Sequence, residues 1–279
     1  MIKTALCIGN NRYPAAWGAD LAGCVPDAKN LAAELQARGW GVTLLLNASR
    51  NDIMDSAGKV IAAAGEGGSW AITFSGHGTQ VPDVHGDETD GLDEASCCSD
   101  GNLILDDEWW KIFRGKPVGS SGFFLSDSCH SGTVARATKP LKQIVEDGVV
   151  IGTRKFVPYR VINPEAWATE GPTRDLDAPR LFSPVAEEGW GAKEGGARVP
   201  WPVLLMSGCQ DDEYSYDAVI NGRPCGAFTY TALWVLKNLK PGATFNEWFV
   251  AIRGKLPSKQ YPQTPRLIGS YLQKPALFG

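Results

Sequence analysis

Alternating strand-like and helix-like stretches along this 279-residue chain predict an α/β fold, a mostly parallel sheet with helices on both faces. Three observations carry the prediction. Short apolar runs each stop at small or polar residues: Ile2 to Ile8 before Gly9, Trp70 to Phe74 before Ser75, and Phe123 to Leu125 before Ser126. Apolar residues at helical spacing, Leu31 and Leu35 among them, fill the segments between. No internal repeat or low-complexity segment interrupts the alternation.

Taken in order, residues 2–8 form a strand that stops at Gly9-Asn10-Asn11, and a helix follows from about Val25 to Arg38 with Gly39 as its C-terminal stop. Val42 to Leu46 reads as the second strand and Asn51 to Ala64 as the second helix, opened by Ser49 or Asn51. Ser69 to Phe74 is a third strand, ending in Ser75-Gly76-His77-Gly78, after which a long acidic loop runs to about Leu105. Asp106 or Asp107 then caps a short helix through Trp110 and Phe113, and the strand Phe123–Leu125 leads into Ser126-Asp127-Ser128-Cys129-His130. Residues 135–200 mix basic residues, prolines and glycines without sustained periodicity and read as a long loop or insertion. A strand at Val203–Met206, helices at about Gly226–Asn238 and Thr244–Lys255, and an edge strand at Arg266–Ile268 complete the chain. A single domain is expected, with 1–135 and 201–279 as its two structured parts and 136–200 between them.

Composition narrows the function classes. A hydrophobic share of 43% with 21% charged residues is that of a soluble globular protein with a sizeable core. A net charge of −4 and the lack of any basic run exclude an electrostatic footprint for nucleic acid. No signal-peptide pattern opens the chain and no apolar run approaches the ~18 residues of a membrane helix, so a cytoplasmic protein is expected. Seven scattered cysteines argue for reduced thiols rather than a disulfide framework, and Cys97-Cys98 lacks the second pair a zinc site needs.

Active sites of doubly wound sheets gather at the carboxyl ends of the strands. His77 follows the third strand and Cys129 the fourth, so neighbouring parallel strands would deliver both to one sheet edge. A thiolate attacks a carbonyl, and a nearby imidazole activates it and later protonates the leaving amine. The glycines flanking His77 let backbone approach a substrate, which makes the amides of Gly78 and Cys129 candidate oxyanion donors. His130 adjoins the cysteine on a turn, where neighbouring side chains point apart, so His77 is the expected base.

Ser75-Gly76-His77-Gly78 together with Asp127-Ser128-Cys129-His130-Ser131-Gly132 resembles the metacaspase branch of the caspase-like cysteine proteases, including its prokaryotic members. Leu21–Ala28, Gly86–Glu94, Leu105–Glu108, Ser207–Glu213 and Pro262-Gln263-Thr264-Pro265 match further motifs in the family's order. The roughly 50-residue offset from His77 to Cys129 agrees. The resemblance implies a caspase-haemoglobinase fold, a six-stranded mostly parallel sheet flanked by helices. It implies a cysteine endopeptidase that cleaves protein or peptide substrates after Arg or Lys. By the same resemblance, Asp27 and Asp127 floor the pocket for that basic side chain (S1), with Cys24 and Ser75 on its wall; no local spacing brings Asp27 to Asp127.

The chemistry itself calls for no cofactor. Many relatives are activated by calcium, and the resemblance maps that site onto Asp90, Asp93, Glu94, Asp106 and Asp107 plus an aspartate seven residues after the nucleophile. Here that last position is Arg136, a cation in place of a ligand, which argues against calcium. Relatives also cut themselves between the two structured parts, and Arg154, Lys155, Arg160, Arg174, Arg180, Lys193 and Arg198 are all chemically eligible. The alternative reading is a catalytically idle binding module for basic peptides, or a protease switched on by a partner or small molecule in a defence or cell-death pathway.

Overall fold

The computed structural model describes residues 1–82, 92–129, 143–146, 149–165, 193–194, 197–198, 201–210 and 213–269. The chain runs β1 (Lys3–Gly9), α1 (Cys24–Ala37), β2 (Gly41–Leu46), α2 (Arg50–Ala64), β3 (Ser69–Ser75), β4 (Gly78–Pro82), β5 (Leu92–Cys97), β6 (Leu103–Leu105) and α3 (Asp106–Arg114). It continues through β7 (Ser121–Asp127), β8 (Gln143–Glu146), β9 (Val149–Arg154), α4 (Tyr159–Ile162), β10 (Lys193–Glu194) and β11 (Ala197–Arg198). The last elements are β12 (Leu204–Ser207), β13 (Tyr216–Ile220), β14 (Arg223–Gly226), α5 (Ala227–Asn238), α6 (Phe245–Arg253) and β15 (Arg266–Ile268).

Six strands form the central sheet in the order β15-β12-β7-β3-β1-β2. All neighbours are parallel except β15, which pairs antiparallel with β12 at the edge. A parallel sheet needs apolar side chains on both faces, because helices cover both. Successive residues of each strand answer that need by pointing to opposite sides. Ala5, Cys7, Phe123, Leu125, Leu204 and Met206 pack with Leu31 and Leu35 of α1, Phe228 and Leu236 of α5, and Trp248 and Ile252 of α6. Leu6, Ile8, Ile72, Phe74, Phe124 and Leu205 pack on the other face with Ile53 and Ile61 of α2 and Trp109 and Phe113 of α3. The expected α/β class and the edge strand are as the sequence indicated, and the sheet draws strands from both structured parts.

Local signals place several boundaries. Ser49 caps α2 by accepting the Asp52 N–H at 3.2 Å, and the N–H groups of Arg38 and Gly39 close α1 on the carbonyls of Leu35 and Gln36. Three expectations need correction. Neither Asp106 nor Asp107 caps α3: Leu105 is the N-cap residue, and the Glu108 carboxylate reaches back to its N–H at 3.1 Å. The acidic loop contains the antiparallel ladder β4-β5-β6. The loop expected at 135–200 contributes β8 and β9 to a second sheet, order β14-β13-β9-β8. In both cases strand formation rests on partners distant in sequence, which local periodicity does not register. Among the described residues no helix is long and apolar enough to cross a membrane, and the seven cysteines are buried and free.

Candidate active site

The carboxyl ends of β3 and β7 lie side by side, with Phe74 opposite Ser126 and Ser75 opposite Asp127. The two segments that leave these strands, carrying His77 and Cys129, are therefore delivered to one edge of the sheet. They touch there. A Cβ built on Gly78 would stand 1.8 Å from the Cys129 carbonyl oxygen, so only glycine fits between them. Helix α1 begins beside this edge, which places Asp27 and Cys24 at the end of β1 and close to Ser75.

Asp27, Ser75 and Asp127 surround a buried ammonium group, that of Lys155. Its Nζ lies 3.0 Å from Asp127 Oδ2, 3.4 Å from Asp27 Oδ2 and 2.9 Å from Ser75 Oγ, and the lysine side chain is 0% exposed. The carboxylates are themselves held by donors. The Gly226 N–H points to both Asp27 oxygens at 3.0 and 2.9 Å, and the Ser75 hydroxyl donates to Asp27 at 2.8 Å. Asp127 accepts from the Thr229 hydroxyl at 2.7 Å, the Thr229 N–H at 3.1 Å and the Ser215 hydroxyl. Burial pushes the Asp27 carboxyl up to about 7 against the pull of the Lys155 ammonium. Burial disfavours a charged lysine, yet Asp127 and its acidic neighbours hold Lys155 well above the ordinary lysine value. Cys24 is buried close enough for the lysine charge to act on its thiol.

The Lys155 carbonyl oxygen accepts from the Gly78 N–H at 3.0 Å and the Cys129 N–H at 3.2 Å. One residue thus fills the acidic pocket with its side chain and the two-amide cradle with its carbonyl. Beside that carbonyl, the Cys129 thiol accepts from the Ser215 N–H at 2.7 Å and donates to the Ser215 carbonyl at 3.3 Å. His77 is fully buried, with Nε2 2.6 Å from the Ala19 carbonyl. That contact makes Nε2 the protonated nitrogen and leaves Nδ1 a lone pair, which is buried without a hydrogen-bond partner among the described residues. Burial lowers the imidazole to about 4, so the ring is neutral near pH 7. Tyr13 supports this residue: its hydroxyl accepts the His77 backbone N–H at 2.8 Å, and the two ring centroids lie 4.8 Å apart. No hydrogen bond joins His77 to Cys129 among the described residues.

A thiol, a neutral imidazole with a free buried lone pair, two converging amides and an acidic recess suit acyl transfer at a basic residue. Residues 2–277 match the family model for the caspase domain, peptidase C14. The chain belongs to the caspase family. It is 28% identical over 291 residues to metacaspase-1 of Mycosarcoma maydis, covering 96% of this chain and 70% of that one. Metacaspase-1 of Cryptococcus neoformans var. neoformans serotype D is 30% identical over 293 residues, covering 96% and 62%. Among solved structures, protein GSU0716 of Geobacter sulfurreducens superposes with a TM-score of 0.69 at 29% identity, covering 100% of this chain and 97% of that one. Caspase-1 of Spodoptera frugiperda, at 12% identity and a TM-score of 0.60 over 98% and 87% of the two chains, shares the fold. This member is therefore a metacaspase-related cysteine peptidase.

Several parts of this caspase-family site were not apparent in its sequence. Tyr13, Ser215, Gly226 and Thr229 carry no motif signal, and each enters only because the sheet brings distant segments to one edge. Gln263, within the Pro262–Pro265 motif, had a visible signal: its amide donates to the Gly208 carbonyl at 2.8 Å and accepts the Tyr216 N–H at 3.2 Å, bracing the strand behind Ser215. The acidic residues mapped to calcium do not gather among the described residues, where no group of three or more metal-ligating side chains converges. Gln80 donates to Glu94 at 3.3 Å, and Asp107 lies 3.9 Å from the Lys111 ammonium. Asp93 and Asp106 are both buried. Asp90, Arg136 and His130 fall outside the described residues.

Proposed function

We propose that this caspase-family protein is a cysteine endopeptidase that cuts after lysine or arginine. Cys129 is the nucleophile and His77 the base that takes its proton and returns it to the leaving amine. The amides of Gly78 and Cys129 stabilise the developing oxyanion, and Asp27, Asp127 and Ser75 bind the basic side chain of the cleaved residue. The observation that carries this reading is Lys155, whose ammonium sits on both carboxylates while its carbonyl accepts from both amides. For attack, the thiol turns from Ser215 toward that carbonyl, and the free Nδ1 of the neutral imidazole can receive its proton. An acidic residue at the cleaved position would meet two buried carboxylates, which disfavours cleavage after Asp. The substrates are proteins or peptides.

Paired peptides with Arg, Lys or Asp at the cleaved position, assayed with and without calcium, test the reading. Cys129→Ala should lower kcat/KM on basic peptides by about 10⁴-fold or more while leaving the thermal melt intact. Undiminished cleavage by a verified Cys129→Ala sample would refute it. Absence of turnover in the wild type, with retained binding of basic peptides, favours the idle binding module. That second reading draws on the thiol's present engagement with Ser215.

A further inference from the structure

Because no hydrogen bond joins the thiol to the imidazole among the described residues, some other contact must fix where the base stands, if the protein is the protease proposed for it. The partners of His77 supply that hold. Its backbone carbonyl accepts the Cys97 N–H at 2.9 Å, its backbone N–H donates to the Tyr13 hydroxyl at 2.8 Å, and Nε2 lies 2.6 Å from the Ala19 carbonyl. Nδ1 alone has no hydrogen-bond partner among the described residues. Every other polar group of the residue is gripped, and the one left open is the one that exchanges protons.

The Tyr13 hydroxyl is itself anchored. Its proton goes to the carbonyl of Asn10 at 2.9 Å, and Asn10 is fully buried. The Asn10 N–H donates to the Ser75 carbonyl at 3.0 Å, and its side-chain oxygen accepts the Ala48 N–H at 3.0 Å. The hydroxyl thus bridges the end of β1 and the turn that follows β3. A Cβ on Gly76 would stand 2.9 Å from the Tyr13 hydroxyl oxygen and 2.8 Å from the Phe74 ring, so the glycine ahead of His77 is what admits the hydroxyl. Trp17 stacks on Tyr13, ring centroids 5.9 Å apart and planes at 16°, which limits how far the phenol can tilt. Asp20 closes the segment on itself. It accepts the Tyr13 N–H at 3.1 Å, pairs with Arg12 Nη1 at 2.5 Å, and directly follows Ala19, whose carbonyl holds Nε2.

We infer that Tyr13 is a positioning residue for the proposed reaction: its hydroxyl, by holding the His77 backbone N–H, fixes the base so that Nδ1 can take the Cys129 proton and deliver it to the leaving amine. The Ala19 carbonyl is a single point of attachment about which the imidazole can pivot. A second hold at the backbone N–H, with a ring packed against the imidazole, removes that freedom. A buried N–H deprived of its acceptor carries a desolvation cost, which the turn relieves by moving. The step most sensitive to such movement is the proton delivery that ends acylation, when His77 gives the proton taken from sulfur to the amine nitrogen as the C–N bond breaks. A leaving group that departs as a stable anion does not need that proton. Asp27 and Asp127 are held by Ser75, Gly226, Ser215 and Thr229 rather than by Tyr13, so recognition of the basic side chain should survive loss of the hydroxyl.

The experiment compares the full-length wild type with Tyr13→Phe, which keeps the ring and removes only the hydroxyl. Two substrates with lysine at the cleaved position are used, a peptide amide and a p-nitrophenyl ester. On the amide, Tyr13→Phe should lower kcat by about 10- to 100-fold with KM unchanged, approaching what a misplacement of about 1 Å costs. On the ester, whose nitrophenolate leaves unprotonated, kcat/KM should fall by about threefold or less, because no general acid is drawn on there. A merely structural role would lower both substrates together. Asp20→Ala provides a second variant at a half-exposed position, where the fold can withstand the change. It frees the Tyr13 N–H and Arg12, and should slow the amide by about 3- to 10-fold while again sparing the ester. Equal losses on amide and ester in whichever variant folds, or an undiminished kcat on the amide, overturn this inference and leave the protease reading standing. Wild type that cleaves neither substrate overturns both.

Discussion

At the scale of single residues, the site is governed by how closely backbone approaches charge. A Cβ on Gly226 would lie 2.1 Å from Asp127 Oδ2, 2.5 Å from Lys155 Nζ and 2.6 Å from Asp27 Oδ2. Gly226→Ala should therefore expel the lysine side chain and lower kcat/KM on Lys peptides by about 100-fold, as a misplacement of about 1 Å does. The thermal melt should drop as well, because the two carboxylates lose a buried counter-charge; unchanged kinetics would contradict the pocket. His77 gives a pH prediction. Its folded value of about 4 lies below the ordinary 6.5, so the stability it contributes is complete above pH 6.5 and is lost as pH falls toward 4. Asp27 works the other way: its folded value of about 7 exceeds 3.8, so its contribution is present below pH 3.8 and is lost as pH rises to 7. Removing the imidazole should expose the second trend. Urea melts of His77→Ala should show it losing less stability than wild type between pH 6.5 and 4.5, and equal pH dependence would argue against a buried neutral ring.

At the scale of elements, the amino end of α5 is what makes an acidic pocket tolerable. The first N–H groups of a helix lack partners within it and carry partial positive charge. Here the Gly226 N–H serves Asp27 and the Thr229 N–H serves Asp127, so two carboxylates from other elements cap this helix. The Thr229 hydroxyl adds a further bond to Asp127 at 2.7 Å. Thr229→Val keeps the shape and the N–H but removes that donor. Loss of one hydrogen bond to a charged group should cost about 1.5–3 kcal/mol in urea melts and raise KM for basic peptides, with Thr229→Ser largely restoring both. Much of this was hidden from sequence. Ser49 and Glu108 announce helix starts locally, whereas the start of α5 has no side-chain cap of its own. Its caps come from Asp27 and Asp127, about 200 and 100 residues away along the chain.

At the scale of the whole molecule, the central sheet joins segments on both sides of Lys155. Leu204 to Ser207 of β12 pair with Phe123 to Ser126 of β7, and β15 closes the edge on β12. The apolar face containing Phe123 and Met206 is shared with α1, α5 and α6. A chain cut between β9 and β12 should therefore remain one particle. Gel filtration of the nicked protein should give a single peak at the intact position, with two fragments appearing only under denaturing conditions. Separation in native buffer would show that the connection itself, rather than the shared sheet, holds the parts together.

The order of amino acids alone was enough for the α/β class, for most elements of the central sheet, and for the likeness that brought Asp27, Ser75, His77, Asp127 and Cys129 into one hypothesis. Those features are legible because helix and strand periods, cap residues and short motifs are local in the chain. What faces that constellation was settled by the three-dimensional packing. Lys155 sat among several eligible basic residues, and Ser215, Gly226 and Thr229 carried no signal of any role. Their positions follow from strand pairings and from a helix end brought across the sheet. Such contacts depend on which distant segments meet, and no local pattern of charge or hydropathy encodes that meeting.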